Sequence, residues 1–242
     1  MGIFYWYNLI NNIIFRGNSM INKERLLSTF VDYVQIDSES KNEKAMSERL
    51  VKDLSSLGFE AYADESGKAA GSNGNNVYCY IPGTLDLEPI LFSAHMDTVT
   101  PGIGIEPIIE DGYVKSKGNT ILGGDNKAGI CAVMEALKTI KEHDLPHRPM
   151  EIVFSISEEV GLLGAKNLDY NNLKSKKAII LDSGGNAGKI IVQAPGQAKI
   201  YAKIFGKAAH AGNSPESGIS AIMVGAEAVS NKPRNYSKYW DI

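Results

Sequence analysis

Apolar positions recur at helical spacing near the start of the chain. Leu26, Leu27, Phe30, Val31 and Val34 fall on one face of a helix, and a second amphipathic segment runs from about Glu43 to Leu57. Gly58 follows it, a residue type that ends helices by turning the chain into the left-handed region. The pattern then changes to short β-rich runs: NVYCYIPG from Asn76, PILFSAHMD from Pro89, EIVFSIS from Glu151 and KAIILD from Lys177. Three of these are nearly continuous in apolar residues, as strands covered on both faces are. Between the second and third, NKAGICAVMEALKTIKEH puts Ile130, Val133, Met134, Leu137 and Ile140 on one helical face. Strands alternating with helices predict an α/β sandwich around a mostly parallel or mixed sheet.

The character of the chain shifts near Ala194-Pro195-Gly196. QAKIYAKIFGK alternates apolar and polar residues with period two, the signature of a half-exposed antiparallel strand, and GISAIMVGAEAVSN reads as a helix. This predicts the start of a second domain, after which KPRNYSKYWDI has no usable periodicity. At the other end, MGIFYWYNLINNIIFRGNS lacks the cationic start and small-residue cleavage site of a signal peptide and is too short to span a bilayer. Residues 1–19 therefore read either as a start placed too far upstream or as a short hydrophobic tail.

Composition narrows the function classes. The 242 residues are 43% hydrophobic and 22% charged, as in soluble globular proteins. A formal net charge of -3 gives no broad attraction for nucleic acid or an anionic membrane, so neither is an expected partner. The only two cysteines, Cys79 and Cys131, form no CxxC pair, which predicts small core thiols in a reducing cytoplasm.

Four clusters carry candidate chemistry. His95 and Asp97 in SAHMDTV are two apart at the end of an apolar run, so a strand would present them on one face at its carboxyl end, where open α/β sheets place their ligands. Imidazole is a good zinc ligand, and a carboxylate accepting its other N–H would fix the tautomer, although taken alone the two read as a hydrogen-bonded structural pair. Asp125 follows two glycines in LGGDNKAG; by itself it reads as a helix N-cap, and Lys127 as a solvated helix residue. Glu158-Glu159 in SISEEVGLLGAK are adjacent and diverge in direction, so one acid can hold a metal while the other takes a proton from water; their plainer reading, with Gly161 and Gly164 following, is a solvated loop pair. Asp182 in IILDSGG ends another buried strand, and its plainer reading is a turn-starting Asp before a glycine pair. Three strand ends and one helix start thus deliver nitrogen and oxygen donors, with no thiolate among them.

SAHMDTV, GGDNKAG, SEEVGLLGAK and LDSGG, in this order, resemble the dinuclear zinc aminopeptidase and deacylase family, specifically its peptidase T-like branch, over roughly residues 21–230. The resemblance implies a zinc-peptidase-type three-layer α/β/α catalytic domain over 20–193, left incomplete, and the start of a two-layer α/β lid or dimerisation domain over 194–230, with a divergent tail at 231–242. It implies two zinc ions. His95 and Asp182 would ligate one ion, Asp125 would bridge both, Glu159 would ligate the second, Asp97 would orient His95, and Glu158 would act as general base. His210 in GKAAHAGNSPESG by itself reads as a hydrogen-bonded loop histidine beside small residues; by resemblance it matches a histidine that stabilises the developing oxyanion, commonly in a partner subunit, which implies a homodimer where the lid is complete enough to form one. The implied reaction is hydrolysis of short peptides, tripeptides above all, from the amino end. Deacylase or carboxypeptidase activity is the alternative within the family.

The chain departs from the family in one respect. Members supply a further histidine to the second metal after the lid, and this sequence contains none there. Its remaining histidines, His143 and His147 in KEHDLPHRP, lie where the family places no ligand, and Pro146 between them disfavours a helical metal pair. A truncated or split metallopeptidase, weak or inactive alone, is therefore the competing expectation.

Overall fold

The computed structural model describes residues 20–186, 188–194, 196 and 201–230. The two predicted N-terminal helices are α1 (Lys23–Val34) and α2 (Lys44–Ser56). Asn22 caps α1 by accepting the Arg25 N–H, and Gly58 follows α2 at a φ of 82°, a left-handed step that suits glycine. The chain continues through β1 (Glu60–Ala63), α3 (Ser66–Ala70), β2 (Val77–Ile81) and β3 (Ile90–His95). A separate hairpin of β4 (Pro107–Glu110) and β5 (Tyr113–Ser116) precedes α4 (Gly124–Glu142), β6 (Met150–Ser155), α5 (Leu163–Lys166) and β7 (Ala178–Ile180). All four β-rich runs of the sequence form strands. The elements that its periodicity did not predict (β1, α3, the hairpin and α5) are four or five residues long, too short to display a period.

The architecture is the expected α/β one, built on a mixed sheet in the order β1-β2-β6-β3-β7. β1 and β2 pair antiparallel, as do β2 and β6, while β6, β3 and β7 are parallel. The register sets Val77, Cys79, Ile152, Phe154, Phe92 and Ala94 on one face. That face meets Phe30, Tyr33 and Val34 of α1, Leu50 and Leu54 of α2 and Ile130, Cys131 and Met134 of α4 in a single core. Both cysteines are free and buried in it, as expected. The opposite face carries Tyr78, Tyr80 and Glu151, with the Lys174 ammonium 3.9 Å from the Tyr80 ring centre.

The chain divides into two compact units, one ending at Ile190 and the other beginning at Ile191. In the second unit α6 (Ala221–Ser230) forms where a helix was predicted. The alternating strand predicted from QAKIYAKIFGK falls partly outside the described residues. Tyr201–Gly206 form no strand, and Lys207 makes only an isolated antiparallel bridge to Ile219. Alternation creates a strand only where a partner supplies the ladder, and here a single bridge does so. The expectations for 1–19 and 231–242 also lie outside the described residues. No helix among those described is long and apolar enough to cross a membrane.

Candidate metal centre

The strand order explains why the chemistry converges. β3 lies between β6 and β7 and runs parallel to both, so their carboxyl ends emerge side by side. His95 closes β3, Glu158 and Glu159 follow β6, and Asp182 follows β7. Asp125 arrives from the start of α4. Two groups of donor atoms result, each within 4.8 Å: His95 with Asp125 and Asp182, and His95 with Glu158 and Glu159. His95 belongs to both because its strand is the central one.

His95 is buried, with its two nitrogens in different roles. Nδ1 lies 2.8 Å from the main-chain carbonyl of Asp97 and 3.4 Å from its carboxylate, while Nε2 lies 3.0 Å from Asp125 Oδ1 and 3.9 Å from Asp182 Oδ1. Sequence reasoning gave the tautomer-fixing contact to the Asp97 side chain; the carbonyl of the same residue makes the shorter bond. The Asp97 carboxylate is held by other donors: the N–H groups of Glu158 at 2.9 Å and Glu159 at 3.2 Å, and the Ser40 hydroxyl at 2.7 Å. It joins the end of β3 to the turn after β6.

Every ion pair of this cluster runs to His95. Burial by itself would lower the His95 pKa, but hydrogen bonds to Asp125 and Asp97 and the charges of Asp97 and Asp182 push it up to about 10. The carboxylates divide accordingly. The bond to His95 holds Asp125 below the usual carboxylate range, and bonds from His95, the Glu158 N–H and Ser40 overcome burial to hold Asp97 low. Burial, with the charges of neighbouring acids, raises Glu158, Glu159 and Asp182. Such a concentration of acid is stable only with cations or protons to compensate it.

The start of α4 departs from the simplest reading of GGDNKAG. Gly123 has a φ of 72°, Asp125 and Asn126 depart from helical angles, and the regular helix begins after them. Asn126 Oδ1 accepts the Gly129 N–H at 3.2 Å, so capping falls to Asn126 and the Asp125 carboxylate is left to face His95. Lys127 corrects the expectation of a solvated residue: it is fully buried, donates to the Ile36 carbonyl at 2.6 Å, and burial pushes its pKa down to about 8. The available signal was its position one turn before Ile130 and Cys131, on the apolar face of the helix.

His210 lies in the second unit, exposed, with Nδ1 accepting the N–H groups of Gly212 at 3.1 Å and Asn213 at 3.2 Å. His143 is exposed and His147 half-buried against the Arg148 carbonyl, and neither belongs to a donor group among the described residues. Ser40 and Glu43 were not singled out from the sequence, since no local pattern marks a polar loop residue whose partner is distant.

Residues 76–227 match peptidase family M28. The chain is 46% identical to the uncharacterized protein YqjE of Bacillus subtilis over 88% of its own length and 58% of that protein's. It superposes on the crystal structure of aminopeptidase PepT from Bacillus cereus with a TM-score of 0.77 at 40% identity, covering 89% of this chain and 58% of that one. A tripeptidase structure from Staphylococcus aureus gives 0.79 at 37% identity, covering 88% and 57%. The chain thus spans somewhat over half the length of these relatives. The family match extends from β2 into the second unit and includes every residue of the candidate centre, and the two peptidase structures share its fold: the chain belongs to peptidase family M28 and is peptidase T-like.

Proposed function

We propose that this chain carries the metal-binding and proton-transfer groups of a cytoplasmic dinuclear zinc aminopeptidase acting on short peptides, tripeptides among them. The observation that carries this reading is one buried imidazole set between two pairs of acids, Asp125 with Asp182 and Glu158 with Glu159. The donor set fits zinc: nitrogen and carboxylate oxygen, with neither buried thiol in either donor group. Asp125, Asp182 and His95 would hold one ion, and Asp125 with Glu159 the other. Bound there, the metals would supply Lewis-acid polarisation of a scissile carbonyl and a lowered pKa for a water between the residues.

The chain's own residues do the rest. Glu158, with its pKa raised by burial, takes the proton from the attacking water and passes it to the leaving amine. Asp97 holds the N–H groups of Glu158 and Glu159 and so keeps base and ligand side by side. In neutral His210, with Nδ1 engaged as acceptor, Nε2 carries the proton and suits an oxyanion donor. The likeness to the PepT aminopeptidase and to the tripeptidase supports a peptide substrate.

A second reading, a metal-holding chain without turnover, is favoured by one observation: both donor groups draw on the same His95. Metal analysis and peptide hydrolysis by the purified chain separate the two. Glu158→Ala is expected to keep its metal and lose turnover by about 10²-fold or more. Normal hydrolysis by that variant sinks the general-base assignment, and metal loading without any wild-type turnover favours the second reading.

A further inference from the structure

The three consecutive N–H groups at the Glu158-Glu159 turn are each bound by a buried carboxylate. Ser157 N donates to Glu43 Oε1 at 3.0 Å, Glu158 N to Asp97 Oδ1 at 2.9 Å and Glu159 N to Asp97 Oδ2 at 3.2 Å. Asp97 belongs to the centre described above; Glu43 does not. It occupies the position before α2 from which a side chain ordinarily caps the helix, yet it makes no capping bond there. Its Oε1 also accepts the Ser157 hydroxyl at 2.9 Å and the Lys41 N–H at 2.8 Å, and Oε2 accepts the Ser72 hydroxyl. Glu43 and Ser157 are both fully buried.

Ser157 has a φ of 51°, in the left-handed region that a non-glycine residue occupies only when its surroundings hold it there. This residue turns the chain between β6 and Glu158, so the direction of both glutamates depends on it. We propose that Glu43 is a positioning residue, whose carboxylate locks Ser157 in this conformation and thereby sets where Glu158 and Glu159 stand relative to His95. A charged acceptor binding both the N–H and the hydroxyl of one residue is a strong and directional restraint. Without it the buried Ser157 N–H would lack a partner, and opening the turn would relieve that deficit. Glu43 is itself braced, because Gly74 packs so closely that a Cβ there would lie 2.8 Å from the Glu43 carbonyl carbon. The catalytic consequence rests on the metallopeptidase reading; the conformational one does not.

The test compares Glu43→Ala, Glu43→Gln and Ser72→Ala in the full chain, each checked for folding by circular dichroism. Amide exchange at residues 157–159 and cobalt(II) affinity read by visible absorption are the primary measurements. In Glu43→Ala, exchange at these amides is expected to accelerate about tenfold or more, and the cobalt Kd to rise about tenfold. Where the wild type turns over peptide, kcat falls about tenfold or more with KM nearly unchanged, the pattern of a displaced base. Glu43→Gln, which keeps an acceptor oxygen, recovers much of each loss. A folded Glu43→Ala with unchanged exchange and cobalt affinity overturns the proposal. If that variant does not fold, Ser72→Ala decides, since it loosens Glu43 without touching Ser157: faster exchange at Ser157 supports the proposal and unchanged exchange overturns it. A wild type that binds no cobalt defeats the metallopeptidase reading instead, while the exchange comparison still decides the role of Glu43.

Discussion

His95 shows how a single side chain registers the charge of its surroundings. Asp125, Asp97 and Asp182 hold its proton to about pH 10, yet ligation requires neutral imidazole. On the reading proposed above, metal binding at pH 7 would expel that proton, and affinity is expected to rise with pH, by up to about tenfold per unit. Zinc titrations at pH 6, 7 and 8, in buffers of differing ionisation enthalpy, read both the slope and the released proton; affinity independent of pH would contradict the assignment of His95 as a ligand. The residues of this cluster were legible in the sequence because each is a metal-competent type placed at a strand or helix end. Ser40 and Glu43 were not, and for Lys127 only its place on the apolar helix face was. Lys127 bonds Ile36 across 91 positions and Glu43 bonds Ser157 across 114, and no local pattern encodes a partner at that distance.

At the scale of elements, the approach of α4 to the end of β7 depends on Gly129. A Cβ there would lie 2.4 Å from Asn126 Oδ1 and 2.7 Å from the Leu181 carbonyl oxygen, and Leu181 precedes Asp182. Gly129→Ala must displace either the Asn126 cap or the segment that carries Asp182. We expect a loss of about 1–3 kcal/mol in denaturant unfolding, because crowding outweighs the helix propensity that alanine adds. Zinc affinity falls with it, and a variant as stable and as tight in zinc binding as the wild type would contradict this packing. The helix was readable from its apolar stripe, whereas its irregular first turn was not. GGDNKAG is compatible with an Asp N-cap, and the competition between Asp125 and Asn126 was decided by His95, which arrives from another element.

At the scale of the whole molecule, one edge of the described sheet leaves apolar surface uncovered. Ile180 of β7 is 59% exposed, and β7 is paired on one side only within the described sheet. An edge strand with exposed apolar side chains invites pairing with another chain. The isolated chain is expected to associate with increasing concentration in sedimentation velocity, and Ile180→Lys to reduce that association by placing a charge on the edge. Wild-type chain that stays monomeric throughout would contradict the expectation.

The sequence by itself determined the α/β class, the long helices, the four β-rich strands and the residue types of the centre. It could do so because burial periodicity and donor chemistry are local properties, readable within a dozen residues. The tertiary structure decided the strand order that puts β3 between β6 and β7, and hence that one imidazole serves two groups of acids. It also decided the burial of Lys127, the transfer of capping from Asp125 to Asn126, and the bonds from Ser40 and Glu43 that hold the site. These depend on which distant segments meet, and that follows from packing the whole core at once.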